Sequence, residues 1–436
     1  MTHPRSCRGE FLSTEMLLTA HPCPGTMGPS QDPRMSMSQV HDPEPWRSRF
    51  PILQDTTYLV NHSLGAMPSG VAKRLQDYAE QWATRGVRAW TEGWWSAPVD
   101  VGNVLGKIMN APENSVVMHQ NVAVIQSMVA SALDFSGSRN KVVYTDQNFP
   151  SNMYVWEGFR KQGANIVVVK SEEEGIVPTQ KLLDAIDEST LIVPISMVCF
   201  RNSYLQDVKA ICAKAKEVGA LVMLDAYQAL GTVPIDVQEL GVDMVCGGSV
   251  KWLCAGPGAG YLYIRPDLME QLHPRYTGWA AHADPFAFEE GPQRYAQGPM
   301  GWLNGSPAVP CLFAALEGYE TILEVGVQPI RDYSIKLNDA LSEDLQERGF
   351  KIHGPREAHQ RGGTLTVALD KDEDGPAFVR ALESRGILID HRPGAGLRVS
   401  PHFYTRQSEL GEVAEALSEI RNTGAWRELI SQSAGY

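Results

Sequence analysis

Lys251 and Asp225 are the residues whose types and neighbours best suit them to chemistry. Lys251 ends a run of mostly small and apolar residues, 244–250, and the glycine-rich stretch 256–260 follows it. Asp225 comes directly after the apolar residues 221–224. A desolvated amine is a nucleophile toward carbonyl compounds, whereas a carboxylate beside an apolar wall is costly unless it has a cationic partner. The pair therefore suits a cofactor that offers both an aldehyde and a basic ring nitrogen.

Pyridoxal phosphate is such a cofactor. The lysine would hold its aldehyde as a Schiff base, and the aspartate would keep its pyridine nitrogen protonated. The two residues are 251 minus 225, or 26, positions apart, which is enough for neighbouring strands of an α/β sheet to present both at one edge. The alternatives are a solvated surface lysine and a helix N-cap aspartate. The apolar neighbours and the glycines favour cofactor binding.

Two residues are candidates for contacts with the cofactor ring. Gln228, three positions after Asp225, is placed to hydrogen-bond the ring's phenolic oxygen. Phe149, which Pro150 follows at a strand end, offers a flat surface for a heteroaromatic ring, and stacking adds about 0.5 to 1.5 kcal/mol beyond burial. By pattern alone a phenylalanine is more often an ordinary core residue, so that alternative stays open.

The cofactor phosphate requires several N–H or O–H donors, preferably at the start of a helix. Asn121 and Val122 lie where a predicted strand ends and a predicted helix begins, and Ser249 adds a hydroxyl two positions before the lysine. Ser306 begins another predicted helix, from which it would reach a phosphate across a dimer interface. The agreement of the four residues, rather than any one of them, supports a phosphate site.

Arg398 is the candidate for binding a substrate. It lies on a predicted strand between apolar residues, and its fork of donors matches the α-carboxylate of an amino acid in bidentate fashion. A structural salt bridge is the competing interpretation, and the nearby segment 390–393 would then order the loop. The sequence alone leaves both open.

Length and composition predict a soluble, acidic enzyme of two domains. The chain has 436 residues, which is more than one hydrophobic core usually holds. Its composition, 43% hydrophobic and 20% charged, is ordinary for a soluble protein. A formal net charge of −13 disfavours nucleic acid or an anionic membrane as the main partner. No apolar run reaches the roughly 20 residues of a membrane span, and no metal site is predicted.

The seven cysteines indicate a reducing compartment. They are odd in number and scattered, without a CxxC pair, which favours free thiols over a disulfide framework. Residues 1–45 are polar and lack the basic-then-apolar order of a signal peptide, so we interpret them as a disordered extension. We therefore expect a cytoplasmic protein.

The middle of the chain alternates strand-like and helix-like segments, which predicts a mostly parallel seven-stranded sheet sandwiched by helices. The predicted strands are 115–118, 141–144, 164–169, 191–196, 220–224, 244–247 and 259–264, and the predicted helices are 121–133, 154–162, 178–186 and 207–218. An amphipathic helix is expected earlier, at 69–84, capped by Ser69 and with a stripe that belongs to the core.

After a long predicted helix at 307–323 the regular alternation of strands and helices ends. Strands at 350–352, 364–369, 387–389 and 397–400, with helices at 330–347, 375–385 and 408–420, predict a small α+β domain. We expect three parts: the extension 1–45, a large cofactor-binding domain 46–325 whose segment 46–70 lies near the active site, and the small domain 326–436.

Taken together, these residues resemble the class V branch of fold-type I pyridoxal phosphate enzymes, and the kynureninase-like group in particular. The resemblance covers about residues 50–425 and rests on these segments: 58–68, similar to the family's substrate loop; 148–150, its ring-stacking turn; 224–229, its pyridine-nitrogen strand; 248–253, its Schiff-base segment; 278–282, a loop from the neighbouring subunit; and 389–393 with 397–404, its carboxyl-binding end.

The resemblance implies a homodimer with two sites built from both chains. It places Trp279 at the partner's cofactor pocket, and Ser63 and Asn304 near the substrate. His62 is an additional titratable group there, suited to acid–base catalysis near neutral pH, although structural hydrogen bonding explains a lone histidine equally well.

Two departures from the family patterns bear on the reaction. Kynureninases usually carry a tyrosine directly before the lysine, where this chain has Val250, which weakens the specific case for kynurenine cleavage. Cysteine desulfurases of this class use a mobile cysteine in the small domain, and no cysteine follows Cys311. Persulfide transfer by that route is therefore not expected.

Our hypothesis is a pyridoxal phosphate enzyme that acts on an L-α-amino acid held by Arg398, through an internal aldimine on Lys251 and a quinonoid stabilised by Asp225. The expected outcome is kynureninase-like hydrolysis or lyase cleavage at Cβ. A class V aminotransferase or epimerase needs the same residues and is the alternative. A non-catalytic scaffold with this fold is a more remote one.

Overall fold

The computed structural model describes residues 41–430. Within this range the chain forms thirteen strands: β1 (Thr57–Tyr58), β2 (Val116–His119), β3 (Lys141–Thr145), β4 (Asn165–Val169), β5 (Thr190–Ser196), β6 (Leu221–Asp225), β7 (Met244–Gly248), β8 (Gly260–Ile264), β9 (Lys351–His353), β10 (Leu365–Ala368), β11 (Ile387–Leu388), β12 (Asp390–Arg392) and β13 (Gly396–Val399).

The α-helices of the same range are α1 (Glu44–Arg47), α2 (Val71–Arg85), α3 (Ala97–Gly106), α4 (Val122–Ala132), α5 (Pro150–Gly158), α6 (Thr179–Asp184), α7 (Val208–Val218), α8 (Val237–Leu240), α9 (Pro266–Gln271), α10 (Val309–Val325), α11 (Val327–Glu347), α12 (Gly375–Glu383) and α13 (Gln407–Thr423). The predicted helix 154–162 begins earlier, at Pro150, because proline is favoured in the first turn of a helix.

A seven-stranded sheet forms the large part of the molecule and confirms the predicted fold class. Its strand order is β2-β8-β7-β6-β5-β3-β4. The pairs from β7 to β4 are parallel, whereas β8 runs antiparallel to both of its neighbours. All seven strands predicted for this sheet are present, because strands that are covered on both faces consist of continuous apolar runs.

Each strand of this sheet contributes to two cores. In β6, Val222 and Leu224 pack into one apolar cluster, while Met223 packs into the other, on the opposite face. This alternation follows from the two-residue period of a strand. The carboxyl ends of the parallel strands, where ligands bind in such sheets, meet at one edge and present Asp225 there.

A smaller antiparallel sheet, with strand order β12-β13-β10-β9, has its own apolar core. The prediction for 387–389 was wrong in one respect, since β11 pairs with β1 in a separate two-stranded parallel sheet. Residues 390–392, which the sequence analysis treated as part of a loop, form the edge strand β12. Asp390 therefore lies directly opposite Arg398 across the β12–β13 pair.

Helix α2 differs from its prediction in two ways. Its N-cap is Gly70 rather than Ser69, and no side chain caps it. Its apolar stripe is only partly covered: Val71 is buried, but Leu75 is 40% exposed and Trp82 is 61% exposed. The stripe therefore belongs to the surface over much of its length, contrary to the expectation of a core face.

Residues 1–40, most of the predicted N-terminal extension, lie outside the described residues. From His41 onward the chain packs against the C-terminal part: His41 Nε2 lies 2.7 Å from the carbonyl oxygen of Phe403. Arg47 is buried and donates hydrogen bonds of 2.9 Å to both carboxylate oxygens of Glu409. The boundaries at 45 and 325 stay predictions.

Residues 57–66, which we call the N-terminal strap, connect the two sheets. Strap residue Val60 forms a parallel bridge with Ser400 beside the small sheet. At the other end, the Gly65 amide donates to the carbonyl of Val250 at 2.8 Å, next to Lys251. A Cβ at Gly65 would overlap the carbonyl oxygen of Lys251, so a glycine is required for this approach.

We expect Gly65→Ala to lower the thermal unfolding midpoint, because the added methyl group forces the strap away from residues 249–254, which we call the lysine loop. The matched control is Gly411→Ala on α13, where a Cβ meets nothing within 4 Å and alanine should stabilise the helix by about 0.5–1 kcal/mol. Circular dichroism melting checks both variants. An unchanged midpoint for Gly65→Ala would contradict the strap's close approach.

Candidate active site

A cavity of about 330 Å³ opens at the carboxyl ends of the parallel strands, within the range of about 300–1,000 Å³ typical of small-molecule sites. A larger cavity, of about 640 Å³, is lined mainly by apolar residues, and neither Lys251 nor Asp225 lines it. The smaller cavity is therefore the candidate active site. Its lining includes seven residues predicted from the sequence: Ser63, Asn121, Val122, Phe149, Asp225, Gln228 and Lys251.

Lys251 follows β7 and places its amine between aromatic rings. Its Nζ lies 4.3 Å from the ring centroid of Tyr227 and 5.8 Å from that of Phe149. Burial lowers the pKa of Lys251 to about 7, although the Asp225 carboxylate acts in the opposite direction. Because much of the amine is then neutral near pH 7, Lys251 is suited to attack a carbonyl and to move protons.

Asp225 ends β6 and is almost fully buried. Its Oδ1 accepts the backbone N–H of Tyr227 at 2.9 Å, and its Oδ2 accepts the side-chain amide of Asn152 at 2.5 Å. Burial raises the pKa of Asp225, and these two hydrogen bonds oppose the rise. No helix begins at Asp225, so the N-cap alternative is wrong, and a cationic ring nitrogen would match the carboxylate.

Phe149 is not the core residue that its pattern alone favours. It precedes α5 and is 42% exposed, with its ring at the cavity and edge-on to Phe200 at a centroid distance of 5.2 Å. The preceding Asn148 holds the turn, since its side chain accepts from the Thr145 hydroxyl and donates to the Pro194 carbonyl. The exposed ring is positioned to flank a planar ligand.

The start of α4 supplies donors for an anion. The side chain of Asn121 caps the helix by accepting the N–H of Val124 at 3.0 Å. Val122 and Ala123, in the first turn, line the cavity, and amides at this position have no partner within the helix. A phosphate at this end of the cavity would therefore meet backbone donors and the positive end of the helix dipole.

Two predicted cofactor contacts are engaged elsewhere. The Gln228 amide donates to the His62 carbonyl and accepts from the Trp252 indole, both at 3.0 Å. The buried Ser249 hydroxyl donates to the Ala259 carbonyl at 2.7 Å and contacts the Tyr319 hydroxyl. Gln228 therefore borders the cavity with its amide already paired, and Ser249 does not line the cavity at all.

Asp390 is the centre of a partly buried polar cluster that was not predicted from the sequence. With Arg398, Arg392, His62 and Ser63 it forms what we call the Asp390 cluster. Asp390 accepts Nε and Nη2 of Arg398 at 2.8 and 2.5 Å, the Ser63 hydroxyl at 2.9 Å and Arg392 Nη2 at 3.2 Å. The structural salt bridge weighed for Arg398 is thus what the structure contains, and Arg398 does not line the cavity.

His62 is also held in this cluster and does not itself line the cavity. Its Nδ1 lies 2.5 Å from Ser400 Oγ and its Nε2 lies 2.9 Å from Asp390 Oδ1. Burial lowers the pKa of His62 to about 4, so the ring is neutral near pH 7. These contacts favour the structural role that was the alternative, and the role of His62 as an acid or base stays a prediction.

Trp279, Asn304 and Ser306 do not line the cavity of their own chain. Trp279 belongs to an exposed aromatic cluster with Trp95 and Phe288, at centroid distances of 5.0 and 6.1 Å. Asn304 accepts the Ala280 N–H through its backbone carbonyl at 3.2 Å. If these three residues contact a cofactor or substrate, they would do so at the cavity of another subunit.

Three residues of the site, Asn152, Tyr227 and Asp390, were not predicted from the sequence. Asn152 is the third residue of α5 and reaches Asp225 at the end of β6. The only signal for its role was the position of the helix in the fold. Tyr227 could have been predicted as a site residue, because it follows Asp225 by two positions at the same strand end. Asp390 was included in a motif, but its role depends on the cross-strand register with Arg398.

The chain matches the family model described as Aminotransferase class-V over residues 57–411. The chain belongs to the class V aminotransferase family. Similar proteins include the uncharacterised aminotransferase YcbU of Bacillus subtilis (strain 168), 29% identical over 384 residues that cover 87% of this chain and 98% of that protein. The kynureninase of Pseudomonas fluorescens is 28% identical over 402 residues, 88% of this chain and 94% of that protein.

Solved structures share the fold of this class V protein. A cysteine desulfurase from Thermococcus onnurineus NA1 superposes with a TM-score of 0.78 at 18% identity, over 89% of this chain and 100% of that one. The cystine C–S lyase C-DES gives 0.75 at 17% identity, over 85% and 99%. These likenesses establish the fold-type I architecture.

Pyridoxal 5'-phosphate is the cofactor of this family, and the cavity fits it. The neutral amine of Lys251, the buried carboxylate of Asp225, the ring of Phe149 and the amides at the start of α4 match its aldehyde, ring nitrogen, ring face and phosphate. When bound, the cofactor withdraws electrons from a substrate carbon. Among residues 41–430 no group of three or more potential metal ligands occurs, and no helix there is long and apolar enough to span a membrane.

The depressed pKa of Lys251 predicts its reactivity in the cofactor-free protein. Labelling by an amine-specific reagent should rise with pH and reach half its maximum near pH 7, because only the neutral amine reacts. A lysine peptide in the same mixture, with a pKa of about 10.4, is the internal control. In Asp225→Asn the midpoint should fall, since the carboxylate raises the pKa. Peptide mass spectrometry measures both, and a midpoint near 10 would contradict burial as the cause.

Asn152→Ala should weaken pyridoxal phosphate binding by roughly 10- to 100-fold, because a hydrogen bond to a charged group contributes about 1.5–3 kcal/mol. The control is Asn422→Ala on the exposed surface of α13, which should bind the cofactor normally. Equilibrium dialysis gives both dissociation constants. Equal affinity in Asn152→Ala and the unmodified protein would show that Asp225 needs no such support.

Proposed function

We propose that this enzyme cleaves a bond at Cβ of an L-α-amino acid, in the manner of a kynureninase or a β-lyase. The observation that carries the proposal is the convergence of the Lys251 amine, the Asp225 carboxylate and the exposed Phe149 ring in one cavity. The similarity to kynureninase over 88% of the chain supports this reaction type.

The residues of the cavity have distinct roles in this proposal. Lys251, whose pKa is lowered to about 7, takes the α-proton and returns a proton to the product. Asp225 would stabilise a positive charge on the cofactor's ring nitrogen, and Phe149 would pack against the ring and shield it from water. Val250 provides no hydroxyl beside Lys251, so proton transfer to the leaving group would depend on water or on another side chain.

We further propose a homodimer in a reducing compartment, consistent with a cytoplasmic enzyme. The large apolar cavity is bordered by the exposed residues Ile52, Leu64 and Met67, and exposed apolar patches mark interfaces. The aromatic cluster around Trp279 is also exposed. A partner covering these surfaces would bring Trp279, Asn304 and Ser306 to the neighbouring cavity. The five cysteines in the described part of the chain are all free.

Transamination is the second candidate. It is favoured by the similarity to YcbU, whose name assigns it to the aminotransferases, and by Val250 in place of the tyrosine expected of a kynureninase. The same lysine would return the proton to the cofactor side rather than complete a cleavage. The two reactions differ in their products and in the need for a keto acid.

The expected result of incubating the pyridoxal phosphate-loaded enzyme with L-kynurenine is the release of alanine and 2-aminobenzoate, with uptake of one water and no keto acid requirement. Cysteine derivatives in the same panel test β-lyase activity through pyruvate release. Chromatography and fluorescence identify the products. Products that appear only when a keto acid is supplied would overturn the cleavage proposal in favour of transamination.

Two lysine variants control this experiment. Lys251→Arg should reduce the rate by at least about 10²- to 10⁴-fold, the usual contribution of a positioned acid–base group. Lys209→Arg, on the exposed surface of α7 with a side chain that is 75% exposed, should retain the full rate. Activity that survives in Lys251→Arg would exclude Lys251 as the base.

A further inference from the structure

His402 is a buried histidine that has no role in the site described so far. It lies three positions after the end of β13, a strand of the small sheet, and its exposed fraction is 0%. Burial lowers its pKa to about 4, so the ring is neutral near pH 7. A neutral imidazole has one N–H donor and one bare acceptor nitrogen. The partners of the two nitrogens therefore define what the ring does.

The two ring nitrogens of His402 have different surroundings. Nε2 lies 2.8 Å from the carbonyl oxygen of Trp252, and because a carbonyl only accepts, Nε2 carries the proton and donates it. Nδ1 is buried and has no hydrogen-bond partner within residues 41–430. A buried polar atom without a partner destabilises a fold and is uncommon. The ring is thus oriented for the bond from Nε2 at the expense of Nδ1.

The residue that receives this bond, Trp252, directly follows Lys251 in the chain. Its indole is 1% exposed and lies edge-on to the ring of His402, at a centroid distance of 5.5 Å. The indole Nε1 donates to Gln228 at 3.0 Å. His402 therefore contacts both the backbone and the side chain of the residue next to the active-site lysine.

The backbone around Lys251 is held at three successive carbonyl groups, those of residues 250–252. The first accepts the Gly65 amide of the N-terminal strap at 2.8 Å, and the second accepts the Cys254 amide at 3.0 Å. The third accepts His402 Nε2. Because the peptide unit is planar, fixing a carbonyl fixes the orientation of its whole unit. Of the three donors, His402 is the side chain, and it comes from the segment that follows the small sheet.

We propose that His402 is a positioning residue, whose Nε2–H donates to the Trp252 carbonyl and thereby fixes the backbone that carries Lys251. His402 does not line the cavity and acts through Trp252. A base that takes and returns a proton has to be held close to one productive position. The inference goes beyond the proposed function, because every reaction that uses the Lys251 amine requires this placement.

Two amide side chains distinguish the roles of the two ring nitrogens. Glutamine carries its amide near the position of Nε2, whereas the shorter asparagine carries it near the position of Nδ1. His402→Gln should therefore keep the bond to the Trp252 carbonyl, and His402→Asn should lose it. Both variants are polar and uncharged, so they differ in the reach of the donor.

The readout is the pH dependence of Lys251 labelling by an amine-specific reagent, in the full-length protein after removal of the cofactor. Loss of the bond loosens the lysine loop and admits water, which weakens the burial that lowers the Lys251 pKa to about 7. His402→Asn should raise the labelling midpoint by on the order of one pH unit, toward the value of about 10.4 for a free lysine. His402→Gln should keep the midpoint of the unmodified protein. Both variants retain the charged groups that act on the amine, namely Asp225, Asp390, Arg392 and Arg398.

Leu417→Ala is the control for a general loss of stability. Leu417 is fully buried in the core of the small sheet, so its truncation should lower the thermal unfolding midpoint without moving the labelling midpoint of Lys251. The pyridoxal phosphate-loaded enzyme gives a second readout, the visible circular dichroism of the bound cofactor. This signal should weaken in His402→Asn and persist in both His402→Gln and Leu417→Ala.

Three results would overturn the assignment of His402. The first is an unchanged labelling midpoint in folded His402→Asn. The second is an equal rise in His402→Asn and Leu417→Ala, because general loosening would then be the cause. The third is an equal rise in His402→Gln and His402→Asn, which would contradict the role of Nε2. If His402→Asn does not fold, His402→Leu, which also lacks the donor, is judged by the same midpoint.

Discussion

The removal of two ionisable groups from water at one edge of the sheet is the constraint on which the active site depends. Desolvation destabilises the charged form of Lys251 and of Asp225. For the lysine the result is an amine with a pKa of about 7, so that a large fraction is the neutral nucleophile near pH 7. For the aspartate it is a carboxylate that hydrogen bonds from Asn152 and Tyr227 support and that a cation would stabilise further. The fold supplies both effects through the apolar strands β6 and β7.

The N-terminal strap extends this constraint to the small sheet. Its Gly65 amide binds the Val250 carbonyl, and the side chain of Asn61 donates to the Ser400 carbonyl at 2.7 Å. The His62 carbonyl accepts from Gln228, which also contacts the indole of Trp252. The lysine loop and the Asp390 cluster are therefore fixed relative to each other through the same ten residues, so a shift of either would be transmitted to the other.

The large sheet was predicted well from the sequence, because the signals for its strands lie within short stretches of neighbouring residues. Each central strand is a continuous apolar run, and Asp225 and Lys251 are recognisable from their immediate neighbours. Strand β12 was missed because three polar residues at a sheet edge carry no hydrophobic pattern. Ser249 was expected at the phosphate from its position alone, but the side on which its hydroxyl emerges depends on Tyr319, 70 positions away. Residues whose role depends on distant partners could not be predicted.

The Asp390 cluster also bears on catalysis through its charge. Arg398 and Arg392 lower the pKa of Lys251, while Asp225 and Asp390 raise it. A nearby negative charge stabilises the protonated amine and a nearby positive charge destabilises it, so the two carboxylates and the two arginines act on Lys251 in opposite directions. The Asp390 cluster contributes both arginines and one of the carboxylates. The small sheet therefore helps to set the basicity of the amine that is proposed to take the α-proton.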